Sequence, residues 1–234
     1  MSEEAWKTIP WTNHTKKSKD LLLDVVVDVP ELLEISDALA ISPTLEGFRN
    51  LIKLYNAVDK GLTAWYGGAA PLARLEDLFQ RGLETASAGD YAVVEIMTIY
   101  WTMCLLTYVA LHQSLKRCSG IPGTETSMDH VDMSSRIDPR QYCKRITEVV
   151  GIFFQPSAGI MYSKSAAFPM GVAMGYLMYT DGLGSEDAKK LLELFSTSPR
   201  GNTMGKFIKG SVSEWGSDFG GPRPPVSKGP EREC

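Results

Sequence analysis

Apolar positions recur along this chain at spacings of three and four, the period of a helix packed on one face. Between Asp20 and Leu39 the set Leu22, Val25, Val26, Val29, Leu32 and Leu33 keeps that period, and Pro30 imposes a bend or a fresh start within it. Two short helices or one kinked helix satisfy the pattern. Ser42, Pro43, Thr44 and Glu46 then supply a capping hydroxyl, a proline for the first turn and an early carboxylate, which predicts a helix capped by Ser42. Its apolar face is Phe48, Leu51, Ile52, Tyr55, Val58 and Leu62; it runs to about Trp65 and ends at Gly67-Gly68. Pro71 opens a further helix, Leu72 to about Ala86, expected to lie antiparallel to the one before it.

Tyr91 to Cys118 is the longest uninterrupted helical pattern and the most apolar, with its peak from Ile96 to Leu111. A bilayer span needs roughly 20 apolar residues. This peak is shorter and holds Thr98, Thr102 and Thr107, so the segment reads as the central helix of a bundle. Tyr91, Glu95, Thr98, Thr102, Gln113 and Lys116 fall on one arc of the wheel, a narrow polar stripe expected to face solvent in preference to an internal cavity. Gly120 to Pro139 has no apolar face and reads as a loop.

The stretch from Tyr142 to Tyr179 organises the second half. Cys143, Ile146, Val149, Val150 and Phe153 form one helical face, Pro156 marks a break and a new start, and Pro169 is expected to end or kink the next segment before Met170 to Tyr179 resumes. Gly171 and Gly175 share a face, where a neighbouring helix or a ligand can approach the backbone closely, helix packing being the preferred reading. Ser185 caps a helix over Glu186 to Ser196, and Asn202 is expected to cap a last helix to about Trp215. The fold class predicted is all-α: a single-domain array of about eight packed helices over residues 20–215, with an extended lead-in at 1–19 anchored by Trp6 and Trp11, and a disordered tail at 216–234.

At 234 residues the chain can bury a core without staples. Its net charge of −4 argues against a broad surface for nucleic acid or acidic lipid. Lys16, Lys17 and Lys19 form a short basic cluster, read as a solvated loop in preference to a nuclear address. Cys104, Cys118, Cys143 and Cys234 make no CxxC pair, so no metal site and no disulfide framework follows, and a reducing compartment fits. The opening MSEEAW is acidic and lacks an apolar core, so a secretory leader is not expected.

Groups suited to chemistry are sparse. Asp129, His130 and Asp132 are the one compact acid/base set, set on a loop that frames them poorly. His112, near the end of the long helix, is a candidate pocket histidine facing a substrate, although a place at the border of the core, where a cation suits the helix dipole, is the preferred reading. Lys164, in an apolar neighbourhood, is a candidate nucleophile if buried and a snorkelling side chain if not. Trp101, Tyr108, Tyr162, Phe168 and Met174 are the candidate lining of a pocket for a hydrophobic small molecule. No cofactor is expected, since the chain has no Gly-rich phosphate loop after a strand, no GxSxG elbow and no HExxH.

The phrases FFQPSAGIM and FPMGVAM in the 142–179 stretch resemble the C-terminal regulatory region of fungal zinc binuclear cluster transcription factors. EEAWKTIPW, LYNAVDKGLTAWY and YWTMCLLTYVALHQ look like successive helices of the same region, so the likeness covers most of Trp6 to Trp215. It implies an all-helical array with a buried regulatory pocket and a nuclear or cytosolic role in transcription, often of secondary-metabolite genes. Such factors read DNA through a six-cysteine, CxxC-rich module followed by basic residues, and this sequence has neither, so direct sequence-specific DNA binding is not expected. A sensor subunit with a protein partner or a homodimer, a gene model truncated at its first exons, and a stand-alone copy recruited as a cyclase or isomerase are the alternatives left open. Membrane association is not expected.

Overall fold

The computed structural model describes residues 7–127, 131, 138–182, 184–196, 199, 201–203 and 205–206. Among these the architecture is all-α. Between residues 18 and 194 the α-helices follow in order: α1 (Ser18–Val26), α2 (Val29–Ile41), α3 (Leu45–Gly68), α4 (Leu72–Arg81), α5 (Ala88–Cys118), the single turn α6 (Thr124–Ser127), α7 (Pro139–Val149), α8 (Gly159–Ser165), α9 (Ala167–Thr180) and α10 (Glu186–Leu194).

Helix α5 is the axis, with α2, α3 and α7 packed along it most extensively. It is long and apolar enough to cross a membrane by length and composition, yet 67% of its most apolar window is buried. That burial is supplied by its helical neighbours. Contacts from α1 and α2 to α5, Lys19 with Glu95, Ser36 with Ser114 and Ser36 with Arg117, keep nearly constant separations of 76, 78 and 81 positions, so these two helices run parallel to it. Helix α3 runs antiparallel, because Tyr66 stacks on Tyr100 whereas Tyr55 meets Tyr108. Cys143 bonding Ala173 and Arg140 bonding Asp181 likewise set α7 against α9 in opposite directions. One apolar cluster links all of this from Leu22 to Phe195.

Pro30 produces the separate-helix solution: α1 stops at Val26 and Pro30 sits in the first turn of α2, where no backbone N–H is needed. The next cap differs from expectation. Ser42 closes α2, and Thr44 caps α3 by accepting from the Gly47 amide at 3.1 Å. Helix α3 continues through Gly68, beyond Trp65. Helix α4 stops at Arg81, short of Ala86, because Gly82 turns at φ +91°, and it packs on α5 instead of pairing with α3. The start of α5 is a capping box: the Ser87 side chain accepts from the backbone at Asp90, and the Asp90 carboxylate accepts from the Ser87 amide at 2.8 Å and its hydroxyl at 2.6 Å.

Further differences lie in the second half. A turn of helix, α6, interrupts the expected loop, and α7 begins at Pro139 under an Asp138 cap. The expected single helix to Phe154 gives way at Val150 to a 3-10 segment. Pro169 occupies the first turn of α9, so the break falls before it, at Ala166. Gly171 and Gly175 are both buried in α9. Residues 199, 201–203 and 205–206 are already helical, with Thr203 Oγ1 donating to the Pro199 carbonyl at 3.1 Å, so Asn202 is inside a helix and not its cap. Trp6, Trp215 and the 216–234 tail lie outside the described residues. In the lead-in, Ile9–Trp11 forms a 3-10 turn where extended chain was expected.

Candidate functional site

A half-open cleft of about 400 Å³ lies between α1–α2, α5 and α9. Small-molecule sites begin at about this size. Helix α2 contributes Val29, Pro30, Leu33, Ser36 and Asp37, and α5 contributes Met103, Leu106, Val109, Ala110 and Gln113. Each set recurs at helical spacing and so occupies one face. Phe168 and Val172 of α9 form the third wall. Along α5 the lining reaches from Met103 to Gln113, about 15 Å at helical rise.

The cleft is apolar over most of its length and polar at one end. There the Ser36 and Ser114 hydroxyls meet at 3.1 Å, buried. Arg117 donates to the Ser36 carbonyl and to Gln113 Oε1, both at 3.1 Å. These bonds lock α2 to α5 at that end. Gln113 Nε2 is buried and has no hydrogen-bond partner among the described residues. Asp37, the single ionisable residue among the described lining, is exposed.

Of the residues singled out from the sequence, Phe168 reaches this cleft, where it is 45% exposed at the mouth. Trp101, Tyr108 and Met174 are packed into the core elsewhere. Tyr108 donates to Asp59 Oδ1 at 2.7 Å and its ring lies 5.4 Å from that of Tyr142. Tyr162 is half-buried between Tyr91 and Phe153. Lys164 is exposed in the last turn of α8, so the apolar burial on which a nucleophilic amine would depend is absent. His112 is exposed on the outer side of α5. Asp129, His130 and Asp132 lie outside the described residues. The structure therefore brings none of the described acid/base candidates to the cleft.

No family model, curated protein or solved structure matches the chain. The chemistry of the site rests on its own groups. Burial pushes the Cys143 thiol up to about 12 and raises that of Cys118, which keeps both protonated and unreactive at neutral pH. The phenols of Tyr100 and Tyr108 are also raised well above their ordinary range by burial, with the nearby Cys104 adding to it. Among the described residues no three His, Cys, Asp or Glu side chains gather as metal ligands. An apolar cleft with a hydrogen-bonding end suits binding and orientation.

The polar stripe on α5 is also placed by the structure: its Tyr91, Thr98 and Thr102 do not face solvent, whereas Lys116 at its far end does and Glu95 and Gln113 are part-buried. Tyr91, Thr98 and Thr102 are buried, and the threonines donate to the carbonyls of Val94 and Thr98 one turn back. Glu95 is held by Lys19 at 3.3 Å and Ser165 at 2.7 Å. In the basic cluster Lys16 pairs with Asp24 and Lys19 with Glu95, so two of its three charges serve packing within the fold.

The cleft residues of α2 and α5 were not foreseen as a site. Val29, Leu33, Met103 and Leu106 satisfy the helical period as core positions do. Between them lie the small side chain of Ala110 in the lining and, at one end, the Ser36–Ser114 contact that joins α2 to α5.

Proposed function

We propose that this chain is a non-catalytic regulatory domain of the transcription-factor type, and that its α2–α5–α9 cleft takes a small hydrophobic molecule. The observation that carries the reading is the cleft itself: a largely apolar trough of about 400 Å³ in which the single ionisable residue among the described lining, Asp37, sits exposed. Catalysis of proton transfer favours a base tuned by burial, and the one carboxylate of the described lining is exposed. The ordered likeness of FFQPSAGIM, FPMGVAM and the preceding helices to zinc binuclear cluster regulators supports the transcriptional part. Recognition of a DNA sequence is left to a module or partner outside these residues, consistent with the absence of CxxC and the net charge of −4. A nuclear or cytosolic location follows from the same reading.

Acetonaphthone, a flat bicyclic ketone, is a suitable probe. With a Kd on the order of 10–100 µM, a tenfold excess over Kd should stabilise the fold by about 1.4 kcal/mol. For a chain of this size that is a rise in Tm of roughly 3–6 °C. Ala110→Phe, which fills the trough, should abolish the rise. Tethered to a heterologous DNA-binding module, the chain should alter reporter output, and Ala110→Phe should change its ligand response. Turnover of the probe, or a reporter indifferent to the tethered chain, would overturn the regulatory reading.

A further inference from the structure

Resting on the reading of the cleft as a ligand site, we infer that its ligand is an apolar molecule carrying one hydrogen-bond acceptor, a carbonyl or ether-type oxygen, and that the Gln113 amide reads this group. The argument begins with the orientation of that amide. Arg117 has donors and no acceptor, so its 3.1 Å contact fixes the oxygen of Gln113 toward it and the NH2 group away. Arg117 is itself anchored on the Ser36 carbonyl, so the amide cannot exchange ends without setting donor against donor. The NH2 group then remains as a buried donor with no acceptor among the described residues, in a residue that lines the cleft.

A buried donor left unmatched costs free energy that a matching acceptor recovers. No described neighbour supplies one: the Ser36 and Ser114 hydroxyls bond each other, the Ser36 carbonyl takes Arg117, and none of these oxygens bonds Gln113 Nε2. Toward Met103 the trough offers Val29, Leu33, Leu106 and Val172, all apolar. A molecule that fills this length is therefore oriented with its acceptor at the Gln113 end. A ligand whose polar group at that end is a donor only would meet the NH2 and Arg117 donors there and be disfavoured.

The test compares two flat molecules of one shape, acetonaphthone and isopropenylnaphthalene, in which the ketone oxygen is replaced by a CH2 group. Affinities are measured by calorimetry on the full chain and on two variants. Gln113→Glu keeps an oxygen for Arg117 and loses the donor; Gln113→Leu loses both. The affinity of the ketone relative to the alkene should fall at least about fivefold in each variant compared with the parent chain, while alkene binding persists. An unchanged ratio in Gln113→Glu, with both compounds still bound, overturns the acceptor inference and leaves the cleft as a ligand site. Failure of the parent chain to bind either compound overturns the site itself and the inference with it.

Discussion

Removing the Asp90 carboxylate should loosen the N-terminus of the central helix. Asp90 occupies the third position of α5, with a side chain 3% exposed, and accepts from the Ser87 amide, the Ser87 hydroxyl, Arg74 Nε at 2.9 Å and Arg81 Nη2 at 3.4 Å. Hydrogen bonds from Ser87 hold its carboxyl well below the usual carboxylate range, and the arginines add to that. Asp90→Ala loses the capping-box carboxylate and leaves the Ser87 amide without its acceptor. Together these cost about 2 kcal/mol. The two arginines are substantially exposed, so their ion pairs add little.

Urea unfolding followed by far-ultraviolet circular dichroism reads this cost as a lower midpoint at unchanged slope. The pH dependence supplies a second check. Because the folded carboxyl titrates below its unfolded value, its contribution is complete above about pH 4 and is lost as the pH falls below that. The gap between parent and Asp90→Ala should therefore be full at neutral pH and shrink in acid. A variant within 0.5 kcal/mol of the parent (the ordinary range for surface changes, roughly ±0.5 kcal/mol) would refute the reasoning, as would a gap that stays constant into acid.

Other perturbations follow from the packing. A Cβ on Gly61 would lie 2.8 Å from Val25 Cγ1, a stiff β-branched side chain, so Gly61→Leu should wedge α3 from α1 and cost about 2 kcal/mol in thermal unfolding. Tyr100 and Tyr108 are held protonated by burial, so stability is complete below about pH 10 and should fall as the pH rises further, with tyrosinate absorbance appearing in step with unfolding. Tyr108→Phe should cost about 1 kcal/mol through loss of the bond to Asp59, measured by urea titration.

The helices were legible where a local signal fixed them, and the cleft was not. Pro30 acts within a few residues, so a bend or a fresh start there can be read directly, though not which of the two. Ser42 and Thr44 are equally good caps by type. The choice fell to Thr44 because α2 runs on through Ile41, leaving Ser42 to follow its end. The threonines of α5 misled for a related reason: a hydroxyl that bonds back to its own helix can be buried at little cost, so a polar arc on a wheel does not distinguish solvent from core. The trough depends on how α2 registers beside α5, with Ser36 against Ser114, seventy-eight positions apart. Local periodicity carries no record of that register. Phe168 was among the pocket candidates, and Gln113 stood in the polar arc expected to face solvent; Ser36 and Asp37 carry no mark in the sequence.

The claim that α2, α5 and α9 enclose a site for a hydrophobic molecule is met most directly by methyl-labelled nuclear magnetic resonance during titration with acetonaphthone. Shifts concentrated on Met103, Leu106, Val109 and Val172, with Met161 on the exposed face of α8 unmoved, are the predicted result. Shifts confined to Met161 and Ile160, or absent throughout at saturating probe, would contradict it.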